Sequence, residues 1–280
     1  MENLIYKCPV CGEVLVEGEK SYSCANNHTF DISEKRYINL LLANQKKTKD
    51  PGDNKQMMES RRDFLNKGYY AQFSEGLNRI ISQQLNENAE YILDSGCGEG
   101  YFISKLKEKL SGEENRAQIN FYGMDISKSA IKYAAKRDKS IHLAVGSSFN
   151  LPFLDGAFDC VIRNFAPGDP KEFYRVLKED GRLVIVTPGI EHLFELKEVL
   201  YEKARKNEAK DSVVDGFKCI EHQEIRYNIQ IDDSDDTKNL ISMTPYYWSI
   251  TSEMREKIDE IASLETSLHF NIDVYAKKSI

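Results

Sequence analysis

The stretch Leu93-Asp94-Ser95-Gly96-Cys97-Gly98-Glu99-Gly100 decides the fold of this chain. It follows the apolar run Tyr91–Leu93, which predicts a strand, and it precedes Tyr101–Leu110, whose apolar spacing predicts a helix. Glycines in such a loop let the backbone approach a ligand closely and adopt positive φ. The spacing is G-x-G-x-G, which differs from the G-x-G-x-x-G of dinucleotide-binding folds.

Two acids at strand ends indicate which ligand the loop binds. Asp94 can hold a cationic amine, and Asp125, at the end of the next predicted strand, suits a pair of ribose hydroxyls. This combination describes S-adenosylmethionine, because the pyrophosphate of a nicotinamide dinucleotide would be repelled by Asp94 and Glu99. The alternatives are such a dinucleotide, or a tight turn without a ligand. The predicted cofactor contacts here are Asp94, Gly96, Gly98, Glu99, Gly100, Tyr101, Asp125, Ile126 and Ser147.

Strand and helix patterns alternate over residues 89–280 and predict an α/β fold with a doubly wound, mostly parallel sheet. The last two strand patterns, 217–231 and 267–275, are close enough in sequence to form an antiparallel edge pair. A long helix is predicted over 192–206. Residues 36–88 are predicted to be helical and basic.

Two pairs of potential metal ligands stand near the N-terminus. Cys8 and Cys11 form a C-x2-C pair, and Cys24 and His28 form a C-x3-H pair. Zinc takes four tetrahedral nitrogen or sulfur ligands, and a complete protein set leaves no open position for catalysis. We therefore predict a structural zinc ion, whose binding stabilises a region too small to fold alone. A chance cluster of reduced cysteines is the alternative.

Composition indicates an ordinary globular protein with one unusual segment. The chain has 280 residues, 41% of them hydrophobic, and a net charge of −7. No apolar run approaches the ~18 residues that a membrane helix needs. The first residues contain no apolar signal region, so we expect a cytoplasmic protein. Residues 35–67 hold nine basic and four acidic residues, which is compatible with phosphate binding or with a solvated loop.

The far side of the cofactor crevice should hold the methyl acceptor. Asn164 and Phe165 follow the fourth predicted strand, and His192 opens the next helix pattern. Asn164 is the best-placed hydrogen-bond acceptor and is our candidate catalytic residue. Phe165 either stacks on a base or packs in the core, and His192 either contacts the cofactor or caps a helix.

Beyond these motifs, the chain resembles the RlmA-type 23S rRNA guanine-N1 methyltransferases along almost its whole length. The motifs that carry the resemblance, besides the zinc ligands and the glycine loop, are Phe30-Asp31, Tyr37-x-Asn39-Leu40-Leu41, Asp50-Pro51-Gly52-Asp53, Met57-Met58, Arg61-Arg62, Phe64-Leu65, Ala134-Ala135-Lys136-Arg137, Leu151-Pro152-Phe153, Thr187-Pro188-Gly189, His192-Leu193, Met243-Thr244-Pro245 and Trp248.

The resemblance implies a class I (Rossmann-like) methyltransferase with a seven-stranded sheet behind a small zinc ribbon. It implies transfer of a methyl group from S-adenosylmethionine to N1 of a guanosine in a domain II hairpin of 23S rRNA, near the macrolide site of the exit tunnel. It implies cofactor contacts at Tyr70, Gly98, Glu99 and His192. The implied regions are a zinc ribbon (1–35), a basic helical linker (36–88) and a methyltransferase domain (89–280).

Relatives in this family further suggest a symmetric homodimer whose cleft holds the hairpin, and they raise a link to macrolide resistance. Tyr69, Tyr70 and Trp248 are candidate stacking surfaces for RNA, each with an ordinary core role as the alternative. Two other functions stay open. One is a small-molecule methyltransferase, for example one acting on a lipid quinone precursor. The other is a zinc-ribbon RNA-binding protein that keeps S-adenosylmethionine as a structural ligand.

Overall fold

A computed structural model describes residues 5–46, 48, 50–114, 116–208, 213–244, 246 and 251–278. Its centre is an eight-stranded sheet, ordered β10-β11-β9-β8-β5-β6-β7-β4, in which the six strands from β9 to β4 are parallel. The strands are β4 (Tyr37–Asn39), β5 (Tyr91–Ser95), β6 (Asn120–Asp125), β7 (His142–Val145), β8 (Phe158–Asn164), β9 (Leu177–Pro188), β10 (Phe217–Ile231) and β11 (Leu264–Lys277).

Helices cover both faces of this sheet. One face packs on a core supplied by most of the helices, and the other face packs on α5 and the N-terminal region. The helices are α1 (Lys55–Asn66), α2 (Ala71–Gln84), α3 (Tyr101–Ser111), α4 (Lys128–Arg137), α5 (Pro170–Val176), α6 (Phe194–Leu200), α7 (Ser234–Ser242) and α8 (Ser252–Asp259). Among the described residues, no helix has the length and apolar character that crossing a bilayer requires.

The predicted α/β class and the antiparallel pair β10–β11 are confirmed, but the sheet has one strand more than the expected seven. The extra strand is β4, which pairs in parallel with β7 inside the stretch predicted to be helical. Tyr37 and Ile38 are buried there. A three-residue strand is shorter than the window in which apolar periodicity is visible, so its partner decides its conformation.

The helix predicted over 192–206 is also shorter than expected, since only Phe194–Leu200 is helical. It begins late because Leu193 adopts a left-handed conformation, with φ of 55°, and donates its backbone N–H to the carbonyl of Ser267. Its buried apolar side chains end at Leu200. Without an apolar face to bury, the following charged residues gain nothing from continuing the helix.

The N-terminal region forms a three-stranded antiparallel sheet, with strands β1 (Val16–Glu17), β2 (Ser21–Ser23) and β3 (Thr29–Asp31). It is held to the segment between β7 and β8 by a bridge between Tyr6 and Phe153 and by the Leu154 N–H, which donates to the carbonyl of Ile5. The ring of Tyr6 is 1% exposed and contacts those of Phe153 and Tyr122. The two sheets therefore share one apolar core.

Candidate functional site

The glycine loop lies at the carboxyl end of β5, in the crevice where parallel strands present their ends. Gly96, Gly98 and Gly100 have φ of 98°, 56° and 85°, a region that L-amino acids with a side chain rarely adopt. A Cβ on Gly96 would lie 2.3 Å from the Cβ of Ala166, and one on Gly100 would lie 3.0 Å from that of Ala134. The loop is therefore restricted to glycine by conformation and by space.

Asp94 ends β5 beneath this loop. Its side chain is 2% exposed, and its Oδ1 has no hydrogen-bond partner among the described residues. Burial and, to a smaller extent, the nearby Asp125 carboxylate raise the pKa of Asp94 to about 7. An unpaired buried carboxyl oxygen is costly unless a cation or a hydrogen-bond donor reaches it. Asp94 thus fits the ammonium group of a cofactor.

Asp125 ends β6 on the neighbouring strand. Its Oδ2 accepts the N–H of Gly98 at 3.0 Å, and its Oδ1 accepts the N–H of Ser127 at 2.8 Å. Burial raises the pKa of Asp125, while these two backbone donors lower it. The carboxylate is therefore held in place beside the loop, and each oxygen keeps a further lone pair for a hydroxyl donor.

The Glu99 carboxylate is buried and forms an ion pair with Arg137 of α4. Its Oε2 accepts the Nε–H of Arg137 from α4 at 2.8 Å, and the side chain is 2% exposed. The same guanidinium contacts Asn66 and lies 5.4 Å from the ring centre of Tyr101. Arg137 therefore fixes Oε2, whereas Oε1 is buried without a partner among the described residues and can accept a hydrogen bond from a cofactor. The side chain of Tyr101 is likewise part of the loop's support.

Ser147 and Ile126 line the same end of the sheet. The Ser147 hydroxyl accepts the Phe149 N–H at 3.2 Å in the turn after β7. Ile126 is half-buried, and a Cβ on Gly52 would lie 3.0 Å from its Cγ2. The predicted contacts Asp94, Asp125, Ser147 and Ile126 are thus brought to one edge of the sheet.

Tyr70 and His192 both contact Phe270, with ring centres 5.4 Å and 4.9 Å from that of Phe270. Both are buried. The Nδ1 of His192 accepts the backbone N–H of His269 at 3.3 Å. Burial and then the Lys197 ammonium lower the pKa of His192 to about 3. The ring is therefore neutral at physiological pH, with its proton on Nε2, where it can donate to a bound molecule.

Asn164 and Phe165 leave the end of β8 toward the same space. The Oδ1 of Asn164 is buried and has no partner among the described residues. Phe165 has a φ of 53°, yet its ring is 45% exposed and lies 5.8 Å from that of His192. A left-handed conformation costs a residue with a side chain about 1–2 kcal/mol. Such strain at an exposed aromatic ring is typical of a functional position.

Arg61 lies in the crevice but was not among the site residues predicted from the sequence. Its Nη1 lies 2.7 Å from Asp53 Oδ2, and its Nη2 donates to the carbonyl of Met243 at 2.9 Å. It lies over the loop, 3.6 Å from where a Cβ on Gly98 would be. The contact with Met243 comes from a distant segment, so only the Arg61-Arg62 motif of the family resemblance pointed to this residue.

Three further aromatic residues were predicted as stacking surfaces for RNA. The ring of Tyr69 stacks on Phe64 at 4.7 Å, and its hydroxyl donates to Asp236 at 2.9 Å. The ring of Tyr70 is buried, so it offers no open stacking surface. Trp248 lies outside the described residues.

The four predicted zinc ligands converge in the N-terminal sheet, with their ligand atoms within 4.8 Å of one another. Cys11 and Cys24 have their sulfurs 3.7 Å apart, and the Nδ1 of His28 lies 3.5 Å from the sulfur of Cys24 and 3.6 Å from that of Cys8. Bond lengths of about 2.3 Å to sulfur and 2.0 Å to nitrogen, at tetrahedral angles, give separations of roughly this size. The donor set fits a structural zinc ion.

Comparison with known families assigns the chain. Residues 86–257 match the family model described as a methyltransferase domain. The chain belongs to this family. Residues 6–49 match a second model, described as RlmA, N-terminal, a zinc ribbon. The expectation of an RlmA-type ribbon joined to a methyltransferase is thereby confirmed, as are S-adenosylmethionine and structural zinc as its cofactors.

Named relatives align with this chain over different fractions of its length. The chain is 27% identical to a 23S rRNA (guanine(748)-N(1))-methyltransferase of Streptomyces fradiae, over 92% of this chain and 91% of that protein. It is 29% identical to a putative 23S rRNA (guanine-N(1)-)-methyltransferase of Bacillus subtilis, over 96% and 95%. A demethylmenaquinone methyltransferase of Thermotoga maritima is 35% identical, but over 39% of this chain and 48% of that protein.

Proposed function

We propose that this methyltransferase transfers the methyl group of S-adenosylmethionine to N1 of a guanosine in 23S rRNA. The observation that carries the proposal is the extent of the matches. The proteins named for this reaction align over 92% and 96% of the chain, which includes the zinc ribbon, whereas the quinone methyltransferase aligns over 39%. A domain II hairpin near the macrolide site is the target that we propose.

The crevice residues fit the cofactor. Asp94 would hold its ammonium group, Asp125 its ribose hydroxyls, and Gly96 and Gly98 would let the backbone approach it. Neutral His192 would donate a hydrogen bond from Nε2 to the part of the cofactor that lies near Phe165. When bound, S-adenosylmethionine supplies a methyl group on a sulfonium sulfur, which leaves as a thioether once a nucleophile takes the methyl.

Asn164 and Phe165 would hold the acceptor base. N1 lies on the pairing edge of guanine, so the base has to leave its stack to be methylated. The exposed ring of Phe165 would stack on the extruded base. The buried Oδ1 of Asn164 would accept the N1–H hydrogen bond and orient N1 toward the methyl. The N1 proton then passes to solvent as the N–C bond forms, and catalysis is mainly alignment.

We further propose the regions 1–35, 36–88 and 89–280 as ribbon, linker and catalytic domain, a homodimer that encloses the hairpin, and action in the cytoplasm. A small-molecule methyltransferase would need neither the zinc cluster nor a crevice reached by RNA. A binding protein with a structural cofactor would not need the unpaired Oδ1 of Asn164 at the acceptor side.

The deciding experiment incubates the protein with labelled S-adenosylmethionine and unmodified 23S rRNA, followed by nuclease digestion and nucleoside analysis. We expect label in 1-methylguanosine, with its position mapped by reverse-transcription stops. Label in another nucleoside would overturn the target. Bound cofactor with no label in RNA would overturn the RNA substrate and favour a small acceptor.

A further inference from the structure

The outer face of α4 carries an uncompensated row of positive charge. Lys128, Lys132 and Lys136 follow one another at intervals of four residues, and all three side chains are exposed. The helix contains no aspartate or glutamate. Within the described part of the chain, none of these three lysines forms an ion pair. At 1.5 Å per residue the row runs about 12 Å along the helix.

The basic residues of α1 and of its C-cap, Lys67, belong to the basic segment of the sequence and differ from these lysines because they are paired. Lys55 pairs with Glu59 at 3.4 Å, Arg62 with Asp63 at 2.7 Å and Lys67 with Asp236 at 3.3 Å. Partnered cations of this kind have little net charge to offer a phosphate. The cations that are free to bind phosphate therefore lie on α4 and not on the neighbouring α1.

The surroundings of α4 extend the positive surface. Exposed Lys35 and Arg36 immediately precede β4, which packs beside α4. The Lys136 ammonium lies 5.5 Å from the ring centre of Tyr133 on α4. The acid nearest this ring, Glu59, accepts the Tyr133 hydroxyl at 2.6 Å and pairs with Lys55.

The row leads to the cofactor crevice. Helix α4 begins at Lys128, directly after Asp125-Ile126-Ser127, and Ser127 caps it by accepting the N–H of Ala130 at 3.2 Å. A strand of RNA lying along α4 would therefore reach the carboxyl ends of β5 and β6, beside the predicted cofactor contacts.

We propose that this face of α4 binds the phosphate backbone of the RNA substrate. The proposal rests on the proposed function and names the surface that the substrate uses. Compact ammonium groups on flexible stems bind phosphates as point charges without reading sequence, so the face would position the RNA while the crevice selects the base.

The test compares the K128Q/K132Q/K136Q variant with the wild type, using a 23S rRNA domain II transcript and a series of KCl concentrations. Each lost phosphate contact lowers the slope of log Kd against log salt by about one. We expect the slope to fall by two to three and the KM for RNA to rise. The kcat at saturating RNA and the affinity for S-adenosylmethionine should stay unchanged.

The matched control is K171Q/K203Q/K218Q, which removes the same charge from exposed lysines elsewhere. An unchanged slope in the α4 variant, or an equal fall in the control, would overturn the proposal. Lysine-dependent binding to anionic lipid vesicles without an effect on RNA would also overturn it. If the wild type forms no methylated nucleoside in RNA, the proposed function itself fails.

Discussion

At the residue scale, Asp94 should make cofactor binding depend on pH. Its carboxyl has a pKa of about 7 in the free protein, raised by burial and by Asp125. A cationic ammonium prefers the ionised form, so binding releases a proton wherever Asp94 is still protonated. Affinity for S-adenosylmethionine should therefore rise with pH, by about tenfold between pH 6 and pH 8.

Isothermal titration calorimetry across this range measures the trend, and buffers of different ionisation enthalpy count the released proton. The variant Asp94→Asn should bind more weakly and lose the dependence. A flat profile in the wild type would contradict a contact between Asp94 and the ammonium group.

Asn164 is expected to act on the reaction and not on cofactor binding. Its buried Oδ1 lacks a partner in the described structure, and we predict that it accepts the N1–H of guanine. Asn164→Ala should lower kcat about 10²-fold, the loss expected when a reacting atom is misplaced by about 1 Å. The affinity for S-adenosylmethionine, measured by calorimetry, should be unchanged. Full activity in this variant would exclude the role.

Phe165 should act on RNA binding. Stacking of one base on an aromatic ring contributes about 1–3 kcal/mol, so Phe165→Ala should raise the KM for RNA about tenfold or more. Phe165→Trp keeps a ring at the same strained backbone position and should retain most of the affinity. If both variants lose affinity equally, the ring is packing against His192 and Phe270 and does not stack on a base.

At the element scale, the ion pair between Glu99 and Arg137 joins the glycine loop to α4. Removing one partner of a buried pair leaves the other charge unpaired and costs about 3–5 kcal/mol. We predict that Glu99→Gln and Arg137→Met each lower the free energy of unfolding, and that the double variant recovers part of the loss. Urea unfolding followed by circular dichroism measures the cycle, and purely additive losses would contradict the coupling.

The same scale shows what sequence can and cannot predict. The strand–loop–helix around Gly96 was predictable, because glycine spacing and apolar periodicity are local signals. Strand β4 was not, because three residues become a strand only through pairing with β7. The support of Glu99 by Arg137 and the contact of Arg61 with Met243 could not be predicted either, since they join residues far apart in sequence.

At the scale of the whole molecule, the shared core should couple zinc binding to the cofactor crevice. Tyr6, beside the zinc ligand Cys8, packs on Tyr122 of β6, the strand that ends in Asp125. Loss of zinc therefore removes support from the large sheet as well as from the ribbon. Zinc binding contributes about 10 kcal/mol or more to the folding free energy of small zinc domains. Its loss should therefore destabilise the whole fold.

We predict that Cys24→Ser, or zinc removal by a chelator, lowers the unfolding midpoint of the whole chain in a single transition and weakens S-adenosylmethionine binding. Cys219→Ser is the matched control, because Cys219 lies on β10 outside the zinc cluster. Circular dichroism and cofactor titration on both variants measure the difference. Two separate transitions, with the later one at the wild-type midpoint, would mean that ribbon and sheet fold independently. The stability of the crevice and its affinity for the cofactor would then not depend on zinc. The contact between Tyr6 and Tyr122 would be an ordinary contact between two domains that fold separately.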